Sequence, residues 1–272
     1  MSAVTSASEA GRIPLSLVFV HGFLDNHAGW SPLIEQLGST QHVHYTLDLR
    51  GAGALRAECG PYTLAQAASD VQRLIEKHQM ARVVLVGHSM GGQIAELVAM
   101  KFPERVAALV LLTPVPLAGS HLPPEAVSFL RTSGGDSTAQ REIRRQFSCN
   151  LSEHEIESLV QEEVLMGVAA VEGYFDAFTG GDPLGNAPCS YAGPVLVVGA
   201  QEDPVVPIDA VAEMARARFP NARLVRIEQS GHWPHLEQPG DTATAIDGFL
   251  SECVSPRPQV ASQVAFSCNK RI

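Results

Sequence analysis

The stretch VVLVGHSMGGQIAELVAM, Val83 to Met100, passes from an unbroken apolar run into a helical pattern, and a single serine stands between glycines at the junction. With glycine at roughly 7% of residues, a Gly-x-Ser-x-Gly match arises by accident in roughly one chain in ten of this length. The motif therefore gains meaning only from its surroundings: a strand before it, a helix after it, and an acid and a base at matching places further along.

Working outward, short β-branched runs alternate with longer helical patterns. LSLVFV precedes a segment from Trp30 to Leu37, HVHYTLDL precedes Leu64 to His78, and ARVVLVG precedes Met90 to Lys101. RVAALVLL follows, then an interruption, then PVLVVGA, a helix near Ile208 to Arg218, ARLVRIE, and a last helix near Glu237 to Leu250. This rhythm predicts an α/β fold, a doubly wound and mostly parallel sheet of about six strands. The runs are apolar at nearly every position, as strands covered on both faces must be. Right-handed crossovers then bring the strand C-termini to one edge, where open α/β sheets bind ligands.

The interruption runs from Pro114 to about Pro188. It opens with TPVPLAGSHLPPE, whose four prolines forbid a helix across them, and continues in helical patterns. The expected organisation is a core of residues 1–113 and 189–252, a helical cap inserted at 114–188, and a C-terminal tail at 253–272. The basic cluster Arg141, Arg144 and Arg145 within the insertion reads as a solvated helix face, with a clamp for a substrate carboxylate as the less favoured alternative.

At 272 residues, 45% hydrophobic, the chain can bury a large core. A net charge of −10 leaves no basic stripe for a phosphate backbone, which argues against nucleic acid as a partner. Five scattered cysteines without a C-x-x-C pair fit a reduced compartment. The N-terminal stretch has no signal-peptide pattern, and no apolar run approaches the ~18 residues of a membrane span, so the expected location is cytoplasmic.

Each informative polar residue falls just after a predicted strand. Ser89 follows RVVLVG, Asp203 follows PVLVVG, and His232 follows RLVRIEQ. A serine hydroxyl is a weak nucleophile and needs a base, usually a histidine held in one tautomer by a carboxylate. The order Ser, Asp, His is that of the nucleophile elbow. Gly87 and Gly91 flank the serine where a side chain would strike the neighbouring strand and helix. Glu202 competes with Asp203 as the acid, and His235 with His232 as the base. His88 reads as pointing to the opposite side of the turn, and His21 as structural. An oxyanion site requires two backbone N–H groups, expected from Met90 and from Phe23 in the tight loop at Gly22. The side chains of both are expected to help wall the pocket. No histidine or cysteine spacing reads as a metal site, and no cofactor is implied.

Through HGF (21–23), DLRGAG (48–53), GHSMGG (87–92), GAQEDPVVP (199–207) and SGHWPHLEQP (230–239), the chain resembles the α/β-hydrolase fold superfamily, serine esterase type, from Leu15 to Leu250. The resemblance implies Ser89 as nucleophile, Asp203 as acid, His232 as base, and the Phe23 and Met90 amides as oxyanion hole. The compact sheet and proline-rich start of the insertion look like the methylesterase and hydroxynitrile lyase group. Trp233 stands where those lyases keep a lysine and Gly22 where they place a threonine, which speaks against lyase activity. Members with an aspartate at the elbow, the epoxide hydrolases and haloalkane dehalogenases, are set aside by Ser89, which points to acyl transfer.

The expected function is carboxylesterase action on a small, largely apolar ester substrate. A lactonase, an amidase or a carbon–carbon bond hydrolase with the same triad is the alternative, and a non-catalytic ligand-binding protein stands further off. Phe129, Phe147, Tyr174, Phe175, Phe178 and Trp233 are candidates to line the substrate pocket.

Overall fold

The computed structural model describes residues 15–37, 42–161 and 165–253. The expected tail at 253–272, apart from Cys253, and the first fourteen residues lie outside that set. A six-stranded, wholly parallel sheet runs in the order β2-β1-β3-β4-β5-β6. Its strands are β1 (Leu15–Val20), β2 (His42–Leu47), β3 (Val83–His88), β4 (Val106–Leu112), β5 (Val195–Ala200) and β6 (Arg223–Ile227).

Strand alternation divides the core in two. Val18, Val20, Val83, Leu85, Leu109, Leu111, Val195 and Val197 face α2 (Leu64–Lys77), α3 (Met90–Lys101) and α8 (Ile208–Arg218). Their neighbours Leu17, Phe19, Val84, Val86, Val110, Leu112, Leu196 and Val198 face α1 (Ser31–Gln36) and α10 (Pro239–Cys253). With successive side chains pointing to opposite faces, two covered faces demand the continuous apolar runs seen in β3 and β4, where every residue is buried. The edge strands β2 and β6 are only partly buried, and they carry most of the polar residues of the sheet.

Between β4 and β5 the chain passes through α4 (Pro124–Arg131), α5 (Ser137–Phe147), α6 (Glu153–Leu159) and α7 (Val168–Gly180). Local chemistry starts two of these helices. Asp136 accepts the Thr138 and Ala139 amides ahead of α5, and Ser152 with Glu155 forms a reciprocal capping box on α6. The last predicted helix resolves into a single turn, α9 (Pro234–Glu237), and α10, which begins at Pro239 rather than at Glu237. Proline is tolerated at a first helical position, where its missing N–H has no partner to lose.

Arg144 corrects the expectation of a solvated basic face. Its side chain is fully buried, whereas Arg141 and Arg145 lie outside and pair with Glu157 and Glu153. Among the described residues, no helix is long and apolar enough to cross a membrane.

Candidate active site

The chain starts its sheet at β1, places β2 on one side and β3 on the other, so loops diverge at the β1/β3 edge and open a crevice there. Ser89 sits at this edge, between the end of β3 and the start of α3. Its backbone is left-handed, with φ of 52° and ψ of −120°, a conformation that costs a non-glycine residue about 1–3 kcal/mol. Two hydrogen bonds hold it: the Ser89 N–H donates to the Leu112 carbonyl (3.0 Å), and the Gly92 N–H donates to the Ser89 carbonyl (2.9 Å). The flanking glycines are required by contact. A Cβ on Gly87 would lie 2.4 Å from the Gly91 carbonyl oxygen, and one on Gly91 would lie 2.2 Å from that of Val20.

The Ser89 Oγ lies 2.9 Å from His232 Nε2, and His232 Nδ1 lies 2.9 Å from Asp203 Oδ2. Asp203 uses its other oxygen, Oδ1, to accept the Val205 and Val206 amides at 2.7 and 3.2 Å. That turn aims Oδ2 at the imidazole. Glu202 is exposed and accepts the Ser230 amide instead, so its carboxylate does not meet His232. Burial alone would lower the pKa of His232. The adjacent Asp203 carboxylate, by charge and hydrogen bond, outweighs burial and raises it, with Asp25 and Glu237 acting in the same direction.

The His232 loop is fastened from several sides. Its own N–H donates to the Phe147 carbonyl at the end of α5 (2.8 Å). Its carbonyl accepts from Thr113 Oγ1 (2.9 Å) and His88 Nε2 (2.8 Å). Glu237 gathers four amides around the loop: Gly231, Cys149 and Asn150 on Oε2, and Trp233 on Oε1. None of these roles for Thr113 and Glu237 is visible in the sequence, because each acts on backbone groups that any residue supplies, and the Cys149, Asn150 and His232 partners lie far along the chain.

His88, expected to point to the opposite side of the turn as a structural residue, packs directly against the His232 loop. It does not line the cavity, yet its ring lies 5.0 Å from that of His232 and its Nδ1 faces Asp25 Oδ2 at 3.4 Å. His235 packs between Trp30 and His88, and burial holds its pKa well below the ordinary value. His21 is fixed as expected of a structural residue: its Nε2 accepts the Leu49 amide and its Nδ1 donates to the Gly22 carbonyl.

Ser89 and His232 open onto an apolar cavity of about 40 Å³. Phe23, Leu24, Val115, Val205 and Trp233 wall it from the sheet loops, and Leu130, Ile143, Phe147 and Phe178 from α4, α5 and α7. Of the six expected pocket residues, Phe147, Phe178 and Trp233 line this cavity. Tyr174 instead packs on Tyr62, Phe129 packs against the core, and Phe175 meets Phe23 edge-on and borders a separate groove with His121 and Thr179. Phe23 is a pocket residue by its side chain. Met90 is not: its side chain is fully buried in the core beneath α3. Among the described residues, no cluster of histidine, cysteine and carboxylate side chains suits a metal ion.

Residues 17–245 match the family model described as Alpha/beta hydrolase family, and the chain belongs to that family. It is 26% identical over 251 residues to the sn-1-specific diacylglycerol lipase ABHD11 of Mus musculus, a match covering 87% of this chain and 81% of that one. A thermophilic esterase from Thermogutta terrifontis superposes with a TM-score of 0.73 at 26% identity, covering 90% of this chain and 92% of the other. The enol-lactonase of Burkholderia xenovorans LB400 shares the fold, with a TM-score of 0.73 at 23% identity, over 90% and 94% of the two chains.

Proposed function

We propose that this protein is a serine carboxylesterase that cleaves small, neutral, largely apolar esters. The observation that carries the reading is the unbroken hydrogen-bond relay Asp203–His232–Ser89 ending at an apolar cavity. Among the described residues, no charged side chain lines that cavity apart from the relay itself, so none of them compensates a charged acyl group for the loss of water. Its volume suits an acyl portion of a few heavy atoms.

In this reading His232 Nε2 takes the Ser89 hydroxyl proton as Oγ attacks the ester carbonyl. The carbonyl π electrons move onto oxygen, and the amides of Phe23 and Met90 receive the negative charge. The Met90 amide belongs to the first turn of α3, where the helix dipole adds to its effect. One such donor contributes about 3–4 kcal/mol. Collapse breaks the bond to the alcohol, which leaves with the proton from His232. Water, deprotonated by His232, then attacks the acyl-enzyme and restores Ser89. Asp203 keeps His232 in the tautomer that presents Nε2 as acceptor and stabilises the imidazolium that forms.

The test is turnover of p-nitrophenyl acetate and butyrate, with fluorophosphonate labelling, in the wild type and in Ser89→Ala. The reading expects hydrolysis and labelling in the first and neither in the second, at unchanged circular dichroism. Full activity in Ser89→Ala would overturn it.

A further inference from the structure

The loop that leaves β1 carries a second strained residue. Leu24, next to Phe23, has φ of 66°, and a bulky side chain rarely adopts that region without support from outside. The support comes from α5. One guanidinium nitrogen of Arg144 donates to the Leu24 carbonyl at 2.6 Å and to Asp25 Oδ1 at 3.2 Å, and the other donates to the Gln140 carbonyl at 3.1 Å. The second oxygen of Asp25 accepts the indole N–H of Trp233 at 3.0 Å. Trp233 adjoins His232 and walls the cavity, and Ile143 and Phe147, which also wall it, flank Arg144 on the same helix.

We propose that Arg144 is a positioning residue for the reaction: from α5 it sets, through the Leu24 carbonyl and Asp25, both the loop that presents the Phe23 amide and the tryptophan beside the base. The inference rests on the esterase reading above. A buried arginine serving only to neutralise Asp25 would need one hydrogen bond to the carboxylate; here two of its three bonds go to main-chain carbonyls, one of them on the strained residue. The pair also has an electrostatic role. His232 is faced by Asp203 from the loop after β5, Asp25 from the loop after β1, Glu237 and His235 from α9, and His88 from β3. Burial pushes the Asp25 carboxyl up, but His88 and the Arg144 charge outweigh it and hold Asp25 ionised, so its negative charge bears on the base.

The experiment compares Arg144→Met, Asp25→Asn and the double variant with wild type for kcat and KM on p-nitrophenyl acetate across pH, each scaled to folded protein by near-ultraviolet circular dichroism. Removing one charge of a buried pair can unfold a protein, whereas removing both is better tolerated, so the double variant keeps the question open to an answer. The expectation is a fall in kcat on the order of 10²-fold in Arg144→Met and in the double variant, with KM little changed. In Asp25→Asn the acid limb of kcat/KM should move to lower pH. Wild-type kcat in the folded double variant, or an unmoved limb in Asp25→Asn, would overturn the proposal. If the wild type cleaves no ester, or Ser89→Ala cleaves it equally well, the esterase reading fails first and this role falls with it.

Discussion

The main-chain N–H of His232 donates to the carbonyl of Phe147, the last residue of α5. The histidine that faces Ser89 is thus held by the segment inserted between β4 and β5 as well as by the sheet. The same connection after α5 sends the Cys149 and Asn150 amides to Glu237, while Gly231 and Trp233 reach that carboxylate from either side of the histidine.

Glu237 therefore supports consequences that a surface glutamate would not. Glu237→Ala leaves four amides without their acceptor, and a buried unsatisfied donor costs about 1–3 kcal/mol. We expect a large drop in melting temperature and loss of esterase activity. Glu237→Gln retains one acceptor oxygen for the three amides on Oε2 but turns an NH₂ toward the Trp233 N–H. Thermal melts should rank it between Ala and wild type; equal melts for all three would remove Glu237 from this role.

Asp203→Asn should preserve the turn, since an amide oxygen can still accept from Val205 and Val206, while presenting an NH₂ to His232 Nδ1. That favours the tautomer in which Nε2 carries the proton and cannot accept from Ser89. A fall in kcat on the order of 10⁴-fold is expected, with little change in melting temperature. Steady-state kinetics with active-site titration checks it.

For activity against pH, the proposed base must be neutral, and the Asp203 carboxylate raises the pKa of His232 above its ordinary 6.5. The acid limb of kcat/KM should have its midpoint above 6.5. Because the folded pKa is raised, His232 adds stability that is fully present below the unfolded value and is lost as pH rises through the folded value. His21 and His235 act in the reverse sense. Burial lowers both, so the unfolded chain binds protons that the folded one refuses, and stability is lost as pH falls through about 6.5. Melting curves from pH 8 to pH 5 should decline toward acid, since His21, His235 and part-buried His44, which burial also lowers, oppose the one raised histidine.

Acyl preference should follow the wall contributed by α5 and α7. Ile143→Ala or Phe178→Ala enlarges the cavity beside Ser89, and kcat/KM should shift from acetate toward hexanoate by about tenfold, roughly the value of one or two buried methylenes. Both variants also lose core packing, at about 2–5 kcal/mol, so the comparison is the ratio of the two substrates within each variant. An unchanged ratio would place the acyl group elsewhere.

How much of this was legible beforehand depends on the range of each interaction. The strands could be read because burial on both faces leaves a local trace, an apolar residue at every position. Ser89, Asp203 and His232 could be read because each stands at the end of such a run. Arg144 left a partial signal: Gln140, Ile143, Arg144 and Phe147 share one helical stripe, and all but partly buried Phe147 are buried. Its charge, grouped with Arg141 and Arg145, masked that placement. Asp25 and Glu237 could not be read: the side chains that meet Asp25 are scattered in the sequence, and all four partners of Glu237 are main-chain amides that any residue supplies. The pocket aromatics were overcounted, since helical spacing gives a face but not which face meets a cavity.

The guanidinium of Arg144 also bears on how this scaffold can be re-engineered. Exchanging residues 114–188 for the same interval of a relative looks like a change of lid over an untouched reaction centre. Here the exchange would also remove the support of Leu24 and the counter-charge of Asp25, both of which stay behind in the recipient. Grafted segments should work best when they bring an arginine at that helical position, or when the recipient gives up its aspartate in compensation.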